Sequence, residues 1–211
     1  MYTGIVSGPY ALKSVERLNG LNRLKIDLPD ALLVDLVIGA SVGMDGVCLT
    51  VTHIDGNTVS FDVMSETLRL TTLGEFDAGS QVNIERSAKQ GAENGGHNVS
   101  GHIDGTAVIS DIVQTENNYE ITYRVPKELM GYIFKKGFIA LNGCSLTVAD
   151  VLRQQDSFTV CLIPETLRST THGDKAIGDR VNIECDRQTQ VIVDTVRALL
   201  HENPQLFKDN I

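Results

Sequence analysis

A chain of 211 residues has room for one large domain or two of about a hundred residues each. With 42% apolar and 21% charged residues it has a globular composition, since a disordered chain would need far fewer of the first and more of the second. Against 27 Asp and Glu stand 18 Lys and Arg, a formal charge of −9, so the basic footprint of a nucleic-acid or anionic-lipid binder is missing and neither partner is expected.

The chain opens with Thr3-Gly4-Ile5-Val6-Ser7-Gly8, without the basic n-region and apolar run of a secretion signal. Alternating runs follow at residues 11–15 and 24–28, the second ending at Pro29. Residues 30–37 have helical spacing with the proline at a first helical position, which predicts one short helix plugging a barrel. The longest apolar stretch, Ala31 to Gly43, is too short to cross a bilayer and contains Asp35, so no membrane span and a cytoplasmic location are expected. Further alternating runs occupy residues 47–54, 58–63 and 82–86, with the turn signal Asp55-Gly56-Asn57 between the first two.

From Ser100 the series is written again. Ser100-Gly101-His102-Ile103-Asp104-Gly105 repeats the opening motif 97 residues on, Ile121, Tyr123 and Val125 repeat Leu24, Ile26 and Leu28, and residues 127–134 repeat the helical spacing after Pro126. Gly46-Val47-Cys48-Leu49-Thr50-Val51 returns as Gly143-Cys144-Ser145-Leu146-Thr147-Val148. After a two-residue insertion Glu66-Thr67-Leu68-Arg69 matches Glu165-Thr166-Leu167-Arg168, at offset 99. So long a repeat means two copies of one domain joined near His97, each a small antiparallel barrel with its own core. Beyond Glu184 the repeat stops. Residues 189–202 are an amphipathic helix with Ile192, Val196, Leu199 and Leu200 on one face, which either docks on its own barrel or serves subunit assembly.

Because side chains alternate along a strand, Val47, Leu49 and Val51 share one face and Cys48 and Thr50 the other; Ser145 and Thr147 do the same in the second copy. A thiol or hydroxyl at both equivalent places offers hydrogen bonding and, at Cys48, a nucleophile. The segments 62–67 and 161–166 each leave a strand with a carboxylate and a hydroxyl, suited either to a polyol or heterocycle or to turn chemistry. Two histidines five apart, His97 and His102, are a weak ligand set, so no metal is expected; His102 is read as a titrating loop residue, and His53, His172 and His201 as surface residues. The four cysteines, Cys48, Cys144, Cys161 and Cys185, form no C-x-x-C pair and are read as reduced thiols.

Met1-Tyr2-Thr3-Gly4-Ile5-Val6, the repeated Gly-x-x-Leu-Thr-Val, Gly95-Gly96-His97 followed by Ser100-Gly101-His102, and both Glu-Thr-Leu-Arg segments closely resemble the riboflavin synthase family of the trimeric, alpha-chain type. The resemblance implies an all-β fold of two homologous six-stranded Greek-key antiparallel β-barrels plus a C-terminal α-helix, divided as 1–97, 98–186 and a trimerisation helix at 187–211. It implies dismutation of 6,7-dimethyl-8-ribityllumazine to riboflavin and 5-amino-6-ribitylaminouracil by a homotrimer, without metal or external cofactor, in functional association with lumazine synthase. By motif position, Gly4, Ile5, Val6, Cys48, Leu49, Thr50, Asp62, Val63, Met64, Ser65, Glu66, Thr67, Gly101, His102 and Ile103 would line one pocket. Ser145, Leu146, Thr147, Cys161, Leu162, Ile163, Pro164, Glu165 and Thr166 would line the other, with Lys136 reaching in from a neighbouring subunit. Ser41, Cys48, His102 and Asp186 fall at positions that the family uses for catalysis. Three residues depart from the family pattern: Tyr2 for the usual Phe, Asp45 where Asn is common, and Cys144 for an aliphatic residue. A non-catalytic lumazine- or flavin-carrying antenna protein of the same two-barrel build is the alternative.

Overall fold

The computed structural model describes residues 1–116 and 118–203, so the last eight residues of the expected C-terminal segment lie outside the described residues. Period-2 alternation drives the architecture. In β2 (Leu21–Asp27) and β5 (Thr58–Met64), Leu24, Ile26, Val59, Phe61 and Val63 turn inward and lose nearly all contact with water. Each such side chain contributes about 1.5–3 kcal/mol of transfer free energy. With β1 (Gly8–Leu18), β3 (Ser41–Met44), β4 (Val47–Asp55) and β6 (Gln81–Arg86) they close into an antiparallel barrel in the order β1-β2-β5-β4-β3-β6. The step from β2 to β5 across the sheet makes it a Greek key.

The second barrel comprises β7 (Gly105–Gln114), β8 (Tyr119–Arg124), β9 (Phe138–Leu141), β10 (Cys144–Leu152), β11 (Ser157–Leu162) and β12 (Arg180–Cys185), in the order β10-β11-β8-β7-β12-β9. This is the same circuit six strands further on, filled by Ile121, Tyr123, Phe158, Val160 and Ile183. Even the bulges repeat: register shifts between Leu12 and Ser14 and between Val51 and His53 return between Ile109 and Asp111 and between Val148 and Asp150. An extra residue sharpens strand bending, which closure of so small a barrel requires.

Four features differ from expectation. Strands β3 and β9 fall outside the alternating runs, because Ser-Val-Gly-Met and Phe-Ile-Ala-Leu are buried at every position after the first and show no period. The plug helices shrink to one turn, α1 (Asp30–Leu33), and to a 3₁₀ segment, Lys127–Tyr132. Pro29 and Pro126 stand at the N-cap rather than inside, and neither has a side chain able to cap an orphan N–H; in the first copy, Asp35 at φ 56° then ends any continuation. His172 is not a surface residue but completely buried. Finally, α4 (Arg187–Glu202) does not dock its apolar stripe on its own barrel: Ile192, Val196, Leu199 and Leu200 remain 38–64% exposed. It is tied down instead through Tyr132, whose hydroxyl donates to Asp194 at 2.7 Å and whose ring lies 5.0 Å beneath the Arg197 guanidinium. No helix among the described residues is long and apolar enough to cross a membrane.

Candidate functional site

The segment preceding each barrel crosses to the other barrel. Tyr2 and Val99 exchange both backbone hydrogen bonds, 2.7 and 3.1 Å, at the point where the two segments pass. Beyond the crossing, the Gly4 carbonyl accepts from the Ser145 N–H (2.8 Å) and the Gly101 carbonyl from the Cys48 N–H (2.9 Å). Two buried carboxylates fix the crossing arms. Glu85 accepts from Thr3 N, Thr3 Oγ1 and Gly4 N at 2.7, 2.8 and 3.1 Å, and Glu184 accepts from Ser100 N, Ser100 Oγ and Gly101 N at 2.6, 2.8 and 2.9 Å. Burial pushes the Glu85 carboxyl above the usual range while these donors pull it back. Gly4 and Gly101 have φ of 74° and 82°, and a Cβ there would lie 2.5 Å from the Ser145 Cβ or 2.6 Å from the Cys48 Cβ. Only glycine lets the arm approach so closely.

The crossing changes one part of the expected grouping: Gly4 lies against Ser145 and Val6 packs on the second barrel's core, rather than beside Cys48, while Gly101, His102 and Ile103 line the groove with Cys48 as expected. A repeat offset pairs equivalent residues but carries no information on which barrel an arm reaches.

The first site is a groove of about 210 Å³ lined by Cys48, Glu66, Thr67, Gly101, His102 and Ile103, with Val47, Leu70 and Thr71 at its floor and rim. Cys48 is half-buried, and Thr50 is exposed on the same face of β4. Ser41 stands opposite Thr50 across the ladder, which brings it to this side. Asp62 is held by a bidentate pair with Arg23 at 2.8 and 3.1 Å, and that guanidinium keeps its carboxyl below the usual range. Met64, Ser65 and Glu66 are exposed, and Ser65 to Thr67 lie in the short helix α2 (Ser65–Leu70), where Glu66 pairs with Arg69. Leu49 and Val63 face the barrel core and offer the site only main chain, as do Leu146 and Leu162 in the second barrel.

At the second site Ser145 is half-buried and Thr147 exposed, while Ile163, Pro164 and Glu165 are exposed and Thr166 half-buried at the start of helix α3 (Pro164–Ser169). A cavity of about 280 Å³ opens between this helix and the β7–β8 turn, lined by Leu162, Pro164 and Tyr119 among others. Exposed Cys161 donates to Glu120 at 3.5 Å, and its thiol is pushed up by desolvation and by that carboxylate, with Lys136 pulling the other way. Lys136 is exposed, at φ 67°, on the second barrel of its own chain. Asp186 is the N-cap of α4, its Oδ1 accepting from Thr189 N and Oγ1 at 2.8 and 2.7 Å. It sits near enough to His97 to act on that imidazole.

Two site residues escape the motif reading. His97 is buried, stacks on Phe138 (centroids 5.0 Å apart, planes 9° apart) and places Nδ1 2.6 Å from Ser145 Oγ. Burial holds its pKa below the ordinary value, so the imidazole stays neutral, although Asp186 opposes the shift. Gly95-Gly96 before it is the signal that could have marked the close approach: a Cβ on Gly96 would collide with Thr3 O and with Ser145. The other is Tyr2, whose hydroxyl donates to Cys48 Sγ at 3.1 Å. Cys48 and Ser145, equivalent by the repeat, thus each meet a ring, one from the chain start and one from the linker.

Comparison with known proteins gives this arrangement a family. The lumazine binding domain model matches twice, over residues 3–87 and 100–186. Riboflavin synthase of Escherichia coli (strain K12) is 51% identical over 201 residues, covering 95% of this chain and 93% of that protein. Among solved structures, LumP complexed with riboflavin is 27% identical with a TM-score of 0.81, covering 89% of this chain and all of that one. LumP complexed with 6,7-dimethyl-8-(1'-D-ribityl) lumazine is 26% identical with a TM-score of 0.78 over 87% of this chain and 98% of that one.

Proposed function

We propose how this chain, which belongs to the lumazine-binding riboflavin synthase family, divides that family's reaction between its two sites. It is an enzyme that dismutates 6,7-dimethyl-8-ribityllumazine: one molecule passes a four-carbon unit to another, leaving riboflavin and 5-amino-6-ribitylaminouracil. The observation that carries this reading is the pair of homologous sites, each with a half-buried thiol or hydroxyl on the outward face of its fourth strand and an arm from the other copy closed over it. Two identical substrates need two similar seats, and holding them in fixed relation supplies much of the rate by proximity. An antenna protein is the weaker reading, because the synthase of Escherichia coli is 51% identical over nearly the whole chain, and Cys48 and His102 are both present.

Within one chain the two sites lie on separate barrels, so substrates meet only if chains assemble. The exposed stripe of α4 is the trimer contact in this reading, joining the first barrel (1–97) of one subunit to the second (98–186) of the next, with Lys136 entering the neighbour's first site. His102 and Ser41 serve proton transfer at the 7-methyl group, Cys48 activates or stabilises the adduct at C7, and Asp186 assists from the second barrel. The protein works in the cytoplasm, where lumazine synthase provides the substrate.

Adding the lumazine to purified protein tests the reading. Riboflavin should appear, one for every two lumazines consumed; stoichiometric binding without product would identify a carrier instead. Cys48→Ser should retain lumazine binding and lose about tenfold or more in kcat, and an unchanged kcat would remove the thiol from the chemistry.

A further inference from the structure

The ring of Tyr2 occupies a slot made by two glycines. A Cβ on Gly43 would come within 3.2 Å of its Cε1, and one on Gly101 within 2.8 Å of its Cε2. Gly43 is the ladder partner of Cys48, so the slot runs alongside the cysteine. With Val99 and Ala140 packed on it the side chain is 3% exposed. Its hydroxyl has one direction to point, and 3.1 Å away lies Cys48 Sγ.

We propose that Tyr2 is a positioning residue for Cys48: its immobilised phenol donates a hydrogen bond that favours and orients the thiolate facing the first groove. The idea rests on reading that groove as the substrate site. The donor keeps its proton, because burial raises the Tyr2 pKa and the neighbouring sulfur and Glu85 raise it further. The second barrel has no such device. Val99 stands in place of the ring, Ala140 in place of Gly43, and Ser145 meets the neutral His97 instead. The other ionisable groups at the groove are Glu66, which is paired with Arg69, and His102; none changes when the phenol is removed, so they cancel between wild type and variant.

Tyr2→Phe keeps the ring in its slot and deletes only the donor. A charge-assisted hydrogen bond of ordinary strength changes the ionised fraction about tenfold. A less basic thiolate is also a weaker nucleophile, with a Brønsted slope of about 0.4–0.5, which returns roughly threefold of that gain. The full chain is therefore treated with iodoacetamide across pH, and alkylation is read on the Cys48 peptide by mass spectrometry, apart from exposed Cys161. At pH 7 Tyr2→Phe should react about threefold more slowly than wild type, and where the thiol is fully ionised about threefold faster, so the two profiles cross. Profiles in constant ratio at every pH would mean that Tyr2 governs access alone and would overturn the proposal, as would a variant faster at neutral pH. Because alkylation needs no turnover, crossing profiles in a protein that makes no riboflavin would sustain the role of Tyr2 while sinking the functional reading.

Discussion

In the first barrel the completely buried Leu73 and Ile26 are hydrocarbon; at the equivalent places the second barrel has His172 and Tyr123. His172 accepts at Nδ1 from the Tyr123 hydroxyl (3.4 Å) and donates from Nε2 to the Leu141 carbonyl (3.1 Å), which fixes a neutral tautomer whose pKa burial depresses to about 4. At the seam between the barrels, where Asn83 Nδ2 donates to the Asn142 carbonyl at 3.0 Å and Asn182 Nδ2 to the Asp45 carbonyl at 2.9 Å, the asymmetry runs the other way. Asn142 accepts from Asn182 N and its counterpart Asp45 from Asn83 N, both at 2.7 Å, and in each the second side-chain atom, Asn142 Nδ2 or Asp45 Oδ2, has no partner; the difference is that Asp45 can ionise. Burial raises Asp45 to about 7. One backbone plan thus tolerates a titratable group in either copy, provided that it is neutral; the first barrel carries its liability near neutral pH, at Asp45, and the second in acid, at His172.

Four experiments break or sharpen that comparison. The largest effect comes from the element that the first barrel lacks: removing residues 187 onward should leave two folded barrels, largely monomeric, with riboflavin formation near background. Sedimentation together with a product assay measures both, and a monomeric but fully active truncation would show that one chain holds a complete site.

Next come the crossing arms. Gly4→Val and Gly101→Val each force a β-branched residue into positive φ against the opposite barrel, and each should cost more than about 4 kcal/mol in chemical denaturation. Matching losses would show that the two crossings are energetically equivalent, and a large difference would identify the one that anchors the pair.

Asp45→Asn makes the seam symmetric. The folded pKa of about 7 lies above the ordinary 3.8, so the wild type has full stability below about pH 4 and loses it as pH rises toward 7. The substitution should remove this loss, worth up to about 4 kcal/mol at pH 8, and leave stability at pH 4 unchanged. Urea melts at the two pH values decide; an equal gain at both would attribute the effect to packing rather than to charge.

His172→Leu copies the first barrel into the second. Here the folded pKa of about 4 lies below the ordinary 6.5, so stability is complete above about 6.5 and falls as pH drops toward 4. The variant should flatten that acid limb by up to about 3 kcal/mol, offset at every pH by the Leu141 carbonyl and Tyr123 hydroxyl left without a partner. An acid limb as steep as in wild type would assign it to other groups.

Much of this molecule is readable in one dimension. The offsets of 97 and 99 give two copies, period-2 alternation gives ten of the twelve strands, and the same alternation turns Cys48 and Ser145 outward. All three depend on contacts between near neighbours in the chain, or on a pattern that repeats whatever its surroundings. Strands β3 and β9 were illegible because burial on both faces erases the period, and the plug helices were over-read because the prolines that start them cannot cap.

What only the tertiary structure decided is everything that depends on which barrel an arm reaches. Nothing local distinguishes Gly4 resting on Ser145 from Gly4 resting on Cys48; the choice is made where Tyr2 and Val99 pair and where Glu85 and Glu184 gather the arm N–H groups. The same crossing delivers Tyr2 to Cys48 and His97 to Ser145, and the closing of the second barrel buries His172. A polar side chain's partner, and hence its charge, is set by groups tens of residues away, whereas the sequence by itself determines only what lies within a turn or a strand's repeat.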